Sequence, residues 1–183
     1  MMMPVSIQTR RLLLKGISPQ VIHDLFNTKT EAEIKAFFGI DETGYRQYQE
    51  MHEQGMETHR LSFFSFLLIE KATDQPIGDC GFHTWNPTHR RAEIFYALRA
   101  DAHKQKGYMT EALPEVIRYG FEQMNLHRIA ALIAKENLPS LKLLQQHGFR
   151  FEGTMREDYV VNGINESSDC YSLLKHEWPA GKP

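Results

Sequence analysis

Residues 97–113 read ALRADAHKQKGYMTEAL, from Ala97 to Leu113. An apolar strand, Ala92 to Leu98, runs into a polar loop holding Lys104, Lys106 and Gly107. A helix follows at once, with a stripe of Leu113, Val116 or Ile117, Gly120 or Phe121, and Met124. Backbone N–H groups at a helix start lack partners and carry the positive end of the dipole, so they can wrap a phosphate. Glycine permits the close backbone approach that wrapping requires. The competing reading is an ordinary strand–loop–helix connection with two solvated lysines. The loop fails both the G-x-G-x-x-G and the G-x-x-x-x-G-K-[ST] patterns, so it supports neither a dinucleotide nor a nucleoside triphosphate site.

Working outward, the same alternation of strand and helix continues. Arg128 to Ala134 reads as a strand, and Asn137-Leu138-Pro139 starts a helix carrying Leu141 and Leu144, closed by Gly148. Phe149 to Leu174 reads as two or more strands around an Asn162-Gly163 turn. Upstream, Phe63–Ile69 and Ile77–Trp85 form a hairpin across Ala72–Pro76. The N-terminal third opens with one strand, Ile7 to Lys15, then turns helical. Ser18-Pro19 caps one helix, the Thr30/Glu33 capping box starts a second that Gly39 stops, and Asp41 to about Glu57 suits a third, partly exposed one. A meander followed by β-α-β-α-β gives an α+β, mixed sheet with helices packed on it.

Bulk composition bounds the class. The chain has 183 residues and a net charge of -2, without repeats or Gly/Ser linkers, so one domain over 1–183 is expected. Hydrophobic residues make up 42%, which excludes disorder as the main state. Near-neutral charge argues against direct nucleic-acid binding. No apolar run reaches the roughly 20 residues a membrane span needs. The start, Met1-Met2-Met3-Pro4 into Val5-Ser6-Ile7, lacks a signal-peptide core. Cys80 and Cys170 show no ligand spacing, which fits a reduced, cytoplasmic compartment. His83, His89, His103, His127 and His147 share no metal-ligand spacing, so no metal is expected.

Lys104-Gln105-Lys106-Gly107-Tyr108-Met109, followed by Thr110-Glu111-Ala112-Leu113, resembles the acetyl-coenzyme A pyrophosphate loop of the GNAT acetyltransferases, Q/R-x-x-G-x-G/A. Two positions depart: Lys104 replaces Gln/Arg and loses the planar fork of Arg, and Met109 replaces a small residue. Pro114 is a further oddity, tolerated if the helix proper begins near Glu111. Other motifs are similar to the ribosomal-protein N-acetyltransferase branch. Thr9-Arg10-Arg11-Leu12-Leu13-Leu14 resembles its T-x-R-L-x-L opening, and Ala92–Leu98 its fourth strand. Leu126–Ile129, Glu136-Asn137 with Ser140, and Gly148–Gly153 follow its second cofactor motif, and Tyr171–Leu174 with Glu177-Trp178 its terminal strand. The resemblance implies a mostly antiparallel, twisted sheet of six to seven strands with a splayed pair for the cofactor.

It also implies the chemistry: direct transfer of acetyl from acetyl-coenzyme A to a primary amine. The acceptor it favours is a protein N-terminal α-amine, with a polyamine, amino acid or antibiotic as alternatives. A cofactor-binding sensor without turnover is a third reading, and monomer against homodimer is left open. The backbone of Tyr96, Ala97 and Leu98 is placed beside the thioester and pantetheine, and Lys104 to Thr110 under the pyrophosphate. Glu93, in an apolar strand, is the candidate base; an edge carboxylate paired with Arg90 or Arg91 is the structural alternative. Glu157 is a weaker candidate. The family's usual thiolate acid, a Tyr, is replaced by Leu144, which leaves the Ser140 hydroxyl nearby; it also reads as a helix first-turn serine. Asn137 reads as a helix cap, a pantetheine partner, or both. Cys80 reads as a buried thiol, without an acyl-enzyme.

Overall fold

The computed structural model describes residues 5–178. Residues 1–4, on which the reading of the chain start partly rests, lie outside it. Eight strands form one sheet in the order β1-β2-β3-β4-β5-β6-β8-β7 among the described residues, against the six to seven expected. One addition is a break in the expected first strand. Ser6–Gln8 (β1) and Leu12–Ile17 (β2) pair antiparallel, because Thr9 turns the chain. The Thr9 backbone N–H donates to the Leu12 carbonyl at 2.9 Å, and the Leu12 N–H donates to the Thr9 hydroxyl at 3.1 Å.

The three N-terminal helices form where their caps predict. Pro19–Thr28 (α1) starts behind Ser18, whose side chain accepts from the Val21 N–H. Glu31–Phe38 (α2) carries the complete Thr30/Glu33 capping box and stops at Gly39 in the left-handed conformation. Glu42–Gln54 (α3) is capped by Asp41 and buries no residue fully. These helices cover one face of the sheet, packing Ile22, Ile34 and Phe38 against Ile17, Leu67 and Ile69.

Ser62–Glu70 (β3), Gln75–Asn86 (β4) and Arg91–Leu98 (β5) continue the meander. After one short 3-10 turn comes Tyr108–Glu122 (α4), then Arg128–Ala134 (β6) and Leu138–Gln146 (α5). Arg150–Val161 (β7) and Ile164–Leu174 (β8) close the sheet across the Asn162-Gly163 turn. The second face packs α4 and α5 through Leu113, Val116, Ile117, Phe121 and Leu144 onto Phe66, Phe82 and Ile129. Helix α4 begins at Tyr108 directly behind Gly107, as expected, so the later start near Glu111 that would have accommodated Pro114 is not taken and Pro114 sits inside the helix. Having no N–H, Pro114 leaves the Thr110 carbonyl without its i+4 donor, while Ala112, Leu113, Val116 and Ile117 bury the helix and hold it.

Candidate active site

Among the described residues only one pair of neighbouring strands is parallel, and it is short. β5 pairs with β6 through Arg91, Ala92 and Glu93 alone, whereas β4 follows β5 all the way from Arg91 to Leu98. Beyond Glu93 the sheet therefore opens between β5 and β6. A cavity of about 210 Å³ fills the opening, lined among others by His83, Glu93, Tyr96, Asn137 and Ser140. Four of the residues singled out in the sequence thus meet in one place.

Each has identifiable surroundings. Glu93 has 24% of its side chain exposed and lies 3.4 Å from the His83 Nε2. Burial raises its pKa above the usual carboxylate range; the nearby His83 opposes the shift and the Asp158 charge adds to it. The expected alternative partners, Arg90 and Arg91, do not hold it: Arg90 binds Asn125, and Arg91 makes no ion pair among the described residues. Tyr96 is half-buried, and its hydroxyl is sealed from solvent with no well-formed hydrogen bond. Burial raises its pKa, and the adjacent Ser140 side chain works the other way. Asn137 caps α5 by accepting from the Ser140 N–H at 3.2 Å, so the capping reading of both residues describes their backbone. The Ser140 hydroxyl still lines the cavity. Leu144 is fully buried in the core.

The loop after β5 has an unusual backbone. Gln105 (φ 59°) and Gly107 (φ 76°) both take the left-handed conformation. Among the described residues no N–H from Gln105 to Thr110 finds an intramolecular acceptor, and the first to do so is Glu111, which donates to the Gly107 carbonyl. A row of unpaired N–H groups at a buried helix's start is the arrangement that receives an anion. Lys104 is paired with Asp101 at 2.6 Å on the surface, and Met109 packs against the core. The loop is anchored from the turn between β1 and β2. Glu111 accepts from the Thr9 hydroxyl and the Arg11 backbone N–H, both at 2.6 Å, and from Arg11 Nε at 2.7 Å. Arg11 Nη1 donates to the Lys106 carbonyl at 2.9 Å, and the guanidinium lies 4.5 Å over the Tyr108 ring. The Tyr108 hydroxyl in turn reaches Glu70.

On the other side of the opening lies a larger cavity of about 620 Å³ between α3, the 55–62 segment and the sheet. His83 and Phe95 line both cavities. Sequence reading passed over His83 because it sought metal spacing along the chain, and no group of three or more potential ligands gathers among the described residues. The useful signal was cross-strand: β4 and β5 flank a turn, and their register sets His83 opposite Glu93. A bulge follows His83, and Thr84 takes a positive φ of 48° with its hydroxyl 2.8 Å from the His83 Nδ1. Glu157 sits in an exposed irregularity of β7 and lines neither cavity; its neighbour Asp158 is the residue whose charge Glu93 feels. Cys80 is fully buried, and burial pushes its thiol pKa far up, which leaves it inert.

A family model described as an acetyltransferase (GNAT) domain matches residues 11–150. The chain belongs to the GNAT acetyltransferases. This GNAT acetyltransferase is 42% identical over 177 residues to the uncharacterized N-acetyltransferase p20 of Bacillus licheniformis, covering 94% of this chain and 98% of the relative. It is 28% identical over 170 residues to the spermidine N(1)-acetyltransferase of Vibrio cholerae, covering 93% and 94%. The crystal structure of ribosomal-protein-S5-alanine acetyltransferase from Vibrio fischeri superposes with a TM-score of 0.67 at 22% identity, over 96% of this chain and 99% of that one. The fold class and the acyltransferase activity follow from the family. GNAT acetyltransferases draw their acetyl group from acetyl-coenzyme A. No helix among the described residues is long and apolar enough to cross a membrane.

Proposed function

We propose that this enzyme transfers acetyl from acetyl-coenzyme A directly to the α-amine of a peptide or protein N-terminus, as one domain over 1–183 working in the cytoplasm. The observation that carries this reading is the opening between β5 and β6, where a base candidate and hydroxyl donors face one small cavity. The row of N–H groups from Gln105 to Thr110, with Lys104 and Lys106 beside it, holds the pyrophosphate. The unpaired edge of β5 at Tyr96, Ala97 and Leu98 receives pantetheine as an added strand and offers an N–H to the developing oxyanion. Ser140 donates toward the departing thiolate, and Asn137 positions Ser140 through the α5 cap.

Glu93 takes the proton of the amine, with the His83 Nε2 3.4 Å from the carboxylate to hold it in place. A raised pKa suits a base, which must hold the proton it accepts. At pH 7, deprotonating an α-amine costs about 1.4 kcal/mol and a lysine about 4.6 kcal/mol. One carboxylate with an imidazole neighbour suits the first.

The test is a thiol-release assay at pH 7 and pH 9 on wild type and Glu93→Gln. Glu93 acts only when ionised, so wild-type rates rise as pH passes its raised pKa. The variant rises only as the amine itself becomes neutral, near pH 8. The wild-type to variant ratio should be large at pH 7 and shrink toward pH 9. A flat ratio removes Glu93 as the base. Peptides with a free N-terminus should outcompete N-terminally blocked lysine peptides; the reverse order removes the proposed acceptor.

A further inference from the structure

The acceptor side of the opening is a chain of connected hollows rather than one pocket. The cavity of about 620 Å³ meets the reaction cleft at His83 and Phe95, and its apolar walls include Tyr48, Met51, Met56, Leu61, Phe63 and Phe95, with Gln47, Ser65 and Thr84 among the polar groups between them. Its one carboxylate is Asp79, and Arg99 Nη2 donates to both Asp79 oxygens, at 2.8 and 3.1 Å. A second cation entering here would leave water without a free carboxylate to meet it, beside a fixed guanidinium. An apolar group loses nothing by entering.

Leu61 also lines two further hollows. One, of about 150 Å³, joins it to Glu93 and Arg91; the other, of about 610 Å³, runs along Thr58, Arg60, His89 and Arg91. Arg60 and Arg91 have no ion-pair partner among the described residues, so this outer path is a positive, solvent-facing groove. The layout is an amine position at His83 and Glu93, an apolar chamber beside it, and a basic exit track past Leu61.

Resting on the acetyl-transfer reading above, we infer that the acceptor is a peptide whose first side chain is bulky and apolar and whose next few residues are acidic. The first side chain occupies the Met51–Met56–Phe63 chamber. The chain then leaves past Leu61 toward Arg60 and Arg91, where carboxylates find guanidinium partners. Polyamines carry the wrong charge for both parts. A small apolar amine such as phenethylamine fills the chamber but leaves the track unused.

The test is kcat/KM for the full chain with saturating acetyl-coenzyme A and a panel of amines. The panel holds hexapeptides beginning with Leu, Phe or Gly on a Glu-rich tail, a Leu-first peptide on a Lys-rich tail, phenethylamine, and spermidine. Leu-first or Phe-first peptides should exceed the Gly-first one by roughly 10- to 200-fold, the range that apolar pocket contacts discriminate. The acidic tail should exceed the basic one by roughly three- to tenfold, an advantage that shrinks with added salt. The doubly substituted Arg60→Glu/Arg91→Glu chain should reverse the tail preference and leave the Leu-to-Gly ratio unchanged. Met56→Glu should collapse the Leu-to-Gly ratio, with coenzyme A affinity measured by calorimetry as the control for folding. A Gly-first peptide or spermidine as best substrate overturns the inference while leaving acetyl transfer intact, as does phenethylamine ahead of every peptide. No thiol release with any amine overturns the acetyl-transfer reading and the inference with it.

Discussion

The two sides of the opening between β5 and β6 are built from different materials. On the proposed cofactor side the surface is backbone: two left-handed residues, Gln105 and Gly107, and a helix start whose position is fixed by Glu111, Thr9, Arg11 and Tyr108. On the proposed acceptor side it is side chains: Met51 from a helix that buries no residue fully, Met56 and Leu61 from the irregular segment between Gln54 and Ser62, and Phe63 from the start of β3. A diphosphate is the same in every turnover, and backbone N–H groups recognise it whatever side chains surround them. An acceptor differs from enzyme to enzyme, and methionine is a flexible, adaptable wall. On this proposal the backbone side serves a constant ligand, and the side-chain side is where this chain's selectivity resides.

The hardest blow to that contrast is aimed at Gly107. Gly107→Val places a β-branched residue at a φ of 76°, although little lies within reach of its Cβ beyond the Arg11 guanidinium. The conformation itself is what valine refuses, so the N–H row should reorient and coenzyme A binding should vanish in calorimetry, whereas Gln105→Ala should bind like wild type. Equal affinity for wild type and Gly107→Val would break the backbone account. Next in size is Ser140→Ala, which touches the seam between the two sides. A hydroxyl assisting the thiolate is worth roughly 10²-fold in kcat with little change in cofactor affinity. A loss below about threefold would leave Ser140 as a helix-start residue only.

The smallest of the three effects sharpens the picture of anchoring. Glu111→Gln keeps the shape of the carboxylate but not its charge. Although burial opposes the shift, hydrogen bonds from Thr9 and Arg11 hold the Glu111 carboxyl below its usual pKa. A depressed carboxylate stabilises the fold above its unfolded pKa, and that contribution fades as pH falls through the folded value. The variant should therefore lose about 1–3 kcal/mol in chemical denaturation at pH 7. The gap should close at acidic pH, where the wild-type carboxyl is protonated too. A gap independent of pH would show that the Glu111 charge is not what anchors the loop.

Local chemistry was the legible part of this sequence. Ser18-Pro19, Thr30 with Glu33, Asn137 before Leu138-Pro139, and Asn162-Gly163 each start or turn an element through groups a few residues apart, and each does so in the structure. The Gly107 helix start is of the same kind. What stayed hidden depends on register and on contacts far along the chain. Thr9 breaks the first strand through its own side chain, which apolar periodicity does not register. Pro114 argued for a later helix start than the burial of its neighbours enforces. His83 acquires its meaning from Glu93 across a hairpin, and Arg11 from Glu111 exactly one hundred residues away in sequence terms. The acceptor chamber draws on residues from Ile40 to Arg99, and no single stretch announces it.

The brevity of the β5–β6 pairing also bears on how the molecule comes apart. Strands β1 to β5 form one antiparallel block and β6 to β8 another, and at the level of the ladder three residues of β5 join them. Amide exchange should therefore reveal two cooperative blocks, with the protons bordering the gap exchanging by local opening and the centres of β3 and β8 exchanging by larger events. A molecule lodged lengthwise in the gap would extend the ladder across it and fuse the blocks into one. Occupancy of the gap then governs the unit in which the protein unfolds, and not merely the temperature at which it does so.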